Sequence, residues 1–309
     1  MYESFYGLKD KPFSLLPDPS FLYLGRPHSA AYAVLEYGVL SQAGLTVITG
    51  EVGCGKTTLI RHLLNRLDPH VTVGLISNTG NLTGDLLRWI LFAFRQDYRQ
   101  KGAVELHEVF EDFLIAEYGS GRRTVLVVDE AQNLSIATLE ELRMLSNINS
   151  DKDLLLQIVL VGQPELKQKT ERPELQQFAQ RISTSYHLGP LSEEETVAYV
   201  HHRLTCAGAT RPIFTPEACV AVHAQSGGVP RLINALCDIA LVYGYAEGVA
   251  EIGLDIVHSV IRDRSKGIQP SNPQARKLVP IVPPLPQAGE ATAFNRELAK
   301  QLFWTLRKD

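Results

Sequence analysis

The stretch Gly50-Glu51-Val52-Gly53-Cys54-Gly55-Lys56-Thr57 is the most informative part of the chain, because it has the spacing G-x-x-x-x-G-K-[ST] of a phosphate-binding loop. Residues 45–49, Leu-Thr-Val-Ile-Thr, precede the loop and are typical of a short buried strand. From Thr58 onward the pattern predicts an amphipathic helix. Strand, loop and helix thus occur in the order of a nucleotide triphosphate site. A plain glycine turn is the alternative, but it leaves the Lys-Thr pair at this offset unexplained.

The loop is predicted to bind ATP together with Mg²⁺. Glycines carry no Cβ, so backbone N–H groups can wrap the phosphates, and the helix N-terminus adds partial positive charge. Lys56 is expected to reach the β and γ phosphates and so to act in catalysis, while the hydroxyl of Thr57 binds the Mg²⁺ that bridges them. The expected cofactor-binding residues are Gly50, Glu51, Val52, Gly53, Cys54, Gly55, Lys56, Thr57 and Thr58.

A second motif supplies the carboxylates that an ATPase needs. Residues 124–130, Thr-Val-Leu-Val-Val-Asp-Glu, have the pattern of a strand that is buried on both faces and ends in two acidic residues. Asp129 is predicted to be the carboxylate on the metal side, and Glu130 the general base that polarises the attacking water. The acidic pair could instead cap a helix, but beside a phosphate-binding loop the catalytic interpretation is favoured.

Composition is typical of an enzyme-sized globular protein. With 309 residues and 45% hydrophobic content, one or two domains can bury a sizeable core. The formal net charge of −4 shows no polybasic signature, so a nucleic-acid contact would need a local patch. The four cysteines show neither metal spacing nor a disulfide framework. We find no secretory signal and no apolar run of the roughly 20 residues that span a bilayer, and therefore expect a cytoplasmic protein without a transmembrane segment.

The order of elements predicts three regions. Strand-like segments at 71–76 and 154–161, the second after a helix near 137–147, indicate βαβ units, so residues 1–190 are predicted to form a nucleotide-binding α/β domain. Helical patterns with caps at Ser192 and Thr215 predict a small helical lid domain at 191–266. Residues 267–309 are predicted to be a proline-rich linker and a short amphipathic helix, which docks a partner or packs on its own domain.

Several motifs besides the phosphate loop together indicate one family. They are Phe5-Tyr6-Gly7-Leu8, Lys11-Pro12-Phe13, Pro17-Asp18-Pro19, Asp129-Glu130-Ala131-Gln132-Asn133-Leu134, Gly162-Gln163-Pro164-Glu165-Leu166 and Gln180-Arg181-Ile182. In these motifs, and up to about Lys266, the chain resembles the ExeA/GspA family of AAA+ ATPases, which belongs with general secretion, type IV pilus and exopolysaccharide or exosortase loci and is related to AAA+ regulators of transposition. This resemblance implies a P-loop NTPase fold with a parallel five-stranded core sheet, a helical lid and ATP-dependent oligomerisation.

The resemblance also implies roles for further residues. Gln163 matches the polar sensor whose amide holds the attacking water. The alternative is that Gln163 does no more than cap the turn at Pro164. Arg231 matches the lid arginine that reaches the γ-phosphate. Arg181 matches the arginine finger, which acts on a neighbouring subunit, and Arg172 is the rival for that role. Either arginine could also be a solvated surface charge. The segment 23–28 is expected to hold the adenine.

Three function classes remain open from the sequence. The favoured one is a Mg²⁺-dependent ATPase that drives oligomer assembly and partner remodelling in a bacterial secretion, pilus or exopolysaccharide export system, in the cytoplasm or at the inner membrane through a partner. The second is a transposition regulator that binds DNA, with Arg88, Arg95, Arg99 and Lys101 as its basic rim, although Asp97 interrupts it. The third is a nucleotide-gated switch with little turnover. The family's founding members carry a transmembrane segment and a cell-wall-binding domain after the ATPase, which this chain is expected to lack.

Overall fold

The sheet confirms the predicted α/β class. A computed structural model describes residues 1–41, 43–77, 86–150 and 153–266. Five parallel strands of this part form one sheet, in the order β2-β3-β6-β1-β7, while β4 and β5 form a separate antiparallel pair. The strands are β1 (Leu45–Gly50), β2 (Val71–Ile76), β3 (Arg123–Val128), β4 (Asn149–Ser150), β5 (Asp153–Leu154), β6 (Leu156–Gly162) and β7 (Ile182–Leu188).

Helices cover both faces of the sheet and continue beyond it. Short 3-10 turns lie at Pro19–Phe21, Ala131–Asn133 and Pro173–Leu175. The α-helices are α1 (Glu3–Tyr6), α2 (Arg26–Leu40), α3 (Lys56–Leu64), α4 (Leu86–Ala93), α5 (Ala103–Gly119), α6 (Ile136–Leu145), α7 (Pro164–Thr170), α8 (Gln176–Arg181), α9 (Glu193–Cys206), α10 (Pro216–Ser226), α11 (Pro230–Glu247) and α12 (Leu254–Lys266).

Alternation along the central strands builds two apolar layers. In β3, Leu126 and Val128 belong to the layer that contains side chains of α4, α5 and α6. Val125 and Val127 belong to the opposite layer, which contains side chains of α2 and α3. All residues of β1 and β6 are buried, so these strands read as continuous apolar runs. The sheet is therefore covered on both faces, and its strand ends remain as places for a ligand.

A third apolar cluster joins helices α9 to α12 with the start of the chain. Tyr2, Tyr6, Leu8 and Phe13 are buried within it. The ring of Phe13 packs edge-on against that of Phe214, with 6.0 Å between the centroids. The first residues thus pack with the helical part rather than with the sheet. The boundaries proposed at 190 and 266 remain a prediction.

The caps of the helical part are found where the sequence places them. Ser192 Oγ accepts the N–H of Glu195 at 3.2 Å, and the Glu195 carboxylate accepts the N–H of Ser192 at 3.0 Å. Thr215 Oγ1 accepts the N–H of Ala218, also at 3.2 Å. These bonds, reciprocal at Ser192 and single at Thr215, satisfy N–H groups that have no partner within a helix, so they define where α9 and α10 begin.

Two boundaries differ from the prediction. The strand expected at 154–161 is wrong as a single element, because Leu154 pairs with Asn149 in the small hairpin and the sheet strand begins at Leu156. The helix expected from Thr58 begins at Lys56. The predicted linker and terminal helix at 267–309 lie outside the described residues. In the described part, no helix is both long and apolar enough to cross a bilayer.

An ion pair at the end of α5 fastens the edge strand β2. Glu117 is only 8% exposed, and its carboxylate accepts hydrogen bonds from Arg122 at 2.6 and 2.8 Å. The hydroxyl of Thr72, in β2, donates to the same carboxylate. Hydrogen bonding from Arg122, assisted by Thr72, lowers the pKa of Glu117 against the opposing effect of burial. The carboxylate thus contributes most to stability when it is ionised.

Replacing this carboxylate by an amide should make stability less dependent on pH. We expect Glu117→Gln to lower the free energy of unfolding at pH 7 by about 1 kcal/mol, because charged hydrogen bonds are lost. Since the folded-state pKa lies below the usual value of about 4.3, the wild-type advantage is full above that pH and disappears as pH falls through the lowered pKa. Urea denaturation at several pH values measures it. Glu111→Gln, an exposed change on the same helix, is the control; an equal loss there would contradict the assignment.

Candidate functional site

The phosphate loop connects the end of β1 to the start of α3, and its shape requires glycine. Gly53 and Gly55 have φ angles of +83° and +96°, a region that side chains other than glycine rarely adopt. A Cβ atom on Gly53 would lie 2.5 Å from the Cβ of Arg231. The glycines therefore allow both the turn of the backbone and the close approach of α11.

Lys56 is positioned at the start of α3 with its ammonium group inside the loop. Its Nζ donates to the carbonyl oxygens of Gly50 at 2.7 Å and Glu51 at 2.9 Å. The residue is only 9% exposed, so these carbonyls replace the water that the ammonium has lost. Cys54, within the loop, is buried, and this burial raises the pKa of its thiol. The thiol therefore fills space as a poor nucleophile.

Thr57 and Asp129 bring the ends of β1 and β3 together. The hydroxyl of Thr57 donates to Asp129 Oδ2 at 2.9 Å, and the N–H of Glu130 donates to Asp129 Oδ1 at 2.9 Å. Burial raises the pKa of Asp129, while the bond from Thr57 opposes that change. A hydroxyl and a carboxylate are oxygen donors that suit Mg²⁺, which keeps waters and phosphate oxygens as its other ligands. The residues present therefore fit an Mg²⁺–nucleotide complex.

The carboxylate of Glu130 is contacted by the side-chain amides of two glutamines. Its backbone is left-handed, with φ 55° and ψ 33°, which turns the chain sharply after β3. The side-chain amide of Gln132 donates to Glu130 Oε2, and Gln163 Nε2 approaches the same oxygen at 3.4 Å. Gln163 follows β6, so the parallel sheet delivers it to the same edge as Glu130.

A cavity of 310 Å³ extends from the loop to the N-terminal part of the chain. Most of the predicted site residues are gathered along it, and the segment expected to hold adenine contributes Tyr23 and His28. Nε2 of His28 donates to the Cys54 carbonyl at 2.9 Å. Burial lowers the pKa of the His28 ring, and the bond to Cys54 opposes that change. Among the residues that line the cavity are Val52, Gly53, Gly55, Lys56, Thr57, Thr58, Glu130, Gln163 and Arg231.

The chain segment 12–18, here called the N-terminal strap, forms another wall of this cavity. Residues 14–18 line it directly. Arg203 of α9, which is 7% exposed, donates from Nε to the Pro12 carbonyl at 2.6 Å and from Nη2 to the Ser14 carbonyl at 3.4 Å. Its guanidinium carbon also lies 4.8 Å from the centre of the Phe21 ring. Sequence reasoning missed Arg203, since a single arginine in a helix has no local signature.

The three arginines singled out from the sequence occupy different positions. Arg231 is close to the loop, because its N–H donates to the Gly53 carbonyl at 3.1 Å. Arg181 and Arg172 are both exposed. Arg181 immediately precedes β7, whose first residue pairs with the first residue of β1. It therefore lies at the sheet edge opposite the phosphate loop, about 17 Å away at 3.3 Å per strand residue.

The basic stretch at 88–101 is engaged in local contacts. Arg88 donates to the carbonyl oxygens of Tyr98, at 2.7 Å, and Lys101. Lys101 Nζ lies 3.5 Å from Asp97 Oδ2. These bonds hold the connection between α4 and α5. At least two of the four cations thus serve this connection, and the DNA-binding rim stays a prediction.

Three features meet at one edge of this sheet. They are a phosphate loop after β1, carboxylates after β3, and a polar side chain after β6, the strand that lies between those two. This combination is typical of P-loop ATPases of the AAA+ type. An AAA domain family model matches residues 39–170. General secretion pathway protein A of Aeromonas hydrophila is 45% identical over 253 residues, which is 82% of this chain and 46% of that protein. The chain therefore belongs to the AAA+ ATPases and is GspA-like across this alignment. It spans about half the length of that relative.

Solved structures agree on the fold. Cdc6p from Pyrobaculum aerophilum superimposes with a TM-score of 0.62 at 15% identity, covering 82% of this chain and 73% of that one. The ADP form of the Aeropyrum pernix ORC2 protein superimposes with a TM-score of 0.60 at 19% identity, covering 85% and 75%. At this identity the likeness concerns the fold alone.

Removing the arginine that holds the N-terminal strap should weaken nucleotide binding. We expect Arg203→Met to cost about 2 kcal/mol of stability, because buried carbonyls lose their donor, and to raise the Kd of ATP by about tenfold as one cavity wall loosens. Thermal unfolding and titration with a fluorescent ATP analogue measure the two effects. Arg264→Met, an exposed change on α12, is the matched control. An unchanged Kd would show that the strap does not shape the site.

Proposed function

We propose that the protein is a Mg²⁺-dependent ATP hydrolase whose turnover depends on oligomer assembly. The observation that carries the proposal is the meeting of Glu130 and Gln163 in the cavity that Lys56 and Thr57 also line. A binding module needs the loop alone, whereas a carboxylate and an amide directed at the same cavity supply what water attack requires. The arrangement therefore favours hydrolysis over a switch with little turnover.

Different residues of the chain would bind the nucleotide, activate the attacking water and respond to the γ-phosphate. Lys56 would exchange its loop carbonyls for the β and γ phosphates. Thr57 and Asp129 would hold Mg²⁺, which would supply positive charge against the phosphates. Glu130 accepts the proton of the attacking water, and the Gln163 amide orients that water. Arg231 contacts the loop from α11, so the helical part can respond to the γ-phosphate.

The position of Arg181 supports assembly into a ring or filament. An arginine at the sheet edge opposite the loop cannot reach the phosphate of its own subunit, but an exposed one can reach that of a neighbour. Arg172 is exposed as well and stays the rival finger. An oligomer would thus complete each site with a second copy of the chain.

The setting we propose is a bacterial secretion, pilus or exopolysaccharide export system. The support is the 45% identity to general secretion pathway protein A. In this setting the protein acts in the cytoplasm or at the inner membrane through a machinery partner, and ATP-driven assembly remodels that partner.

Two substitutions separate binding from hydrolysis. We expect Lys56→Ala to abolish ATP binding, because the phosphates lose their ammonium partner. Glu130→Gln should keep the Kd of ATP within about threefold of the wild type while kcat falls at least about 100-fold, the usual loss for a missing general base. Equilibrium titration and phosphate release measure both. Normal hydrolysis by Glu130→Gln would refute the base assignment, and no hydrolysis by the wild type would favour the switch.

Removing the finger should affect only the assembled enzyme. We expect Arg181→Ala to leave ATP binding by the monomer intact and to abolish the rise in activity per subunit with protein concentration. Arg172→Ala serves as the comparison, since it removes the rival. Activity and light scattering are followed on dilution, with and without double-stranded DNA. Wild-type activity per subunit that does not change on dilution would contradict a finger, and salt-sensitive stimulation by DNA would favour the transposition class.

A further inference from the structure

We propose that Gln132 is a positioning residue that holds the general base Glu130 and the sensor Gln163 in one fixed arrangement. The inference rests on the proposed hydrolytic function, and it assigns to Gln132 a role that neither the phosphate loop nor the acidic pair explains.

Both ends of the Gln132 amide are used, and each end binds a different member of the site. Its NH₂ group donates to Glu130 Oε2. Its Oε1 accepts the backbone N–H of Gln163 at 3.0 Å. A single planar group thus joins the carboxylate after β3 to Gln163, the residue just before α7. Rotation of the amide would break both bonds together, so the two partners are fixed relative to each other.

The backbone of Gln132 is held as firmly as its side chain. Lys169 of α7 donates from Nζ to the carbonyl oxygens of Gln132 at 2.6 Å and Leu134 at 2.7 Å. These bonds close the 3-10 turn at Ala131–Asn133 against α7. Burial, together with repulsion from Arg172, lowers the pKa of Lys169. The turn therefore presents Gln132 to Glu130 from a rigid base.

The end of β6 leaves room for this amide. A Cβ atom on Gly162 would lie 2.9 Å from Gln132 Oε1, so only glycine accommodates the side chain without displacement. Glu130 itself is in the left-handed region, where a side chain needs support from its surroundings. The geometry at Glu130, Gln132 and Gly162 therefore favours Gln132 as a support for the Glu130 carboxylate over Gln132 as an ordinary surface residue.

The test is the effect of Gln132→Glu and Gln132→Ala on kcat and on nucleotide affinity. Gln132→Glu keeps the shape and the acceptor for Gln163 but removes the donor to Glu130. We expect both variants to lower kcat at least about tenfold while the Kd of ATP changes less than about twofold, because the lost contact serves the water and not the phosphates. Gln168→Glu, which makes the same charge change at an exposed position of α7, should leave kcat unchanged.

A double-mutant cycle distinguishes positioning from packing. In a Glu130→Gln background, Gln132→Ala should lower the residual single-turnover rate by a smaller factor than in the wild type, since the part of its effect that acts through the carboxylate is already lost. A loss as large as in the wild type would overturn the inference. So would a wild-type kcat in both variants, or a parallel loss of ATP affinity and thermal stability. A wild-type chain without hydrolysis would refute the proposed function itself, whereas active wild type with indifferent variants would refute only the role of Gln132.

Discussion

The parallel arrangement of β1, β3 and β6 is the constraint on which the rest of the molecule depends. Because these strands run in one direction, their carboxyl ends meet at one edge, and the loop, Asp129 and Gln163 follow from there. The hydrogen bond from Thr57 to Asp129 closes the gap across β6. A shift of register by one residue would move the side chains of β3 from one apolar layer to the other. The covered sheet therefore stabilises the fold and aligns the site through the same contacts.

Burial of charge at this edge is tolerated because each charge has a partner that a nucleotide complex can replace. The Lys56 ammonium rests on loop carbonyls, and the Asp129 carboxylate accepts bonds from Thr57 and Glu130. Desolvation without such partners would be costly. Phosphates and a cation can take over these bonds without uncovering the core. The site is thus preorganised for a ligand of the opposite charge pattern.

The helical part takes part in the cavity through two contacts that are far apart in sequence from the loop. Arg231 approaches Gly53 from α11, and Arg203 of α9 holds the N-terminal strap. The first residues of the chain are buried among the same helices. The start of the chain therefore forms one wall of the cavity, and Arg203 of α9 holds that wall through hydrogen bonds. This arrangement gives a physical route by which a bound nucleotide can change what the helical part does.

Local sequence patterns were enough to predict the phosphate loop, the acidic pair after β3, the parallel α/β class and the caps at Ser192 and Thr215. Each depends on residues within a few positions of one another, where spacing and period carry the information. The boundaries near Leu154 were less well predicted, because a short apolar run does not show where pairing changes. Only the tertiary structure revealed Arg203, the strap and the dual role of Gln132. Arg203 and Pro12 are 191 residues apart, and contacts over such separations leave no local pattern, since folding alone brings the two groups together.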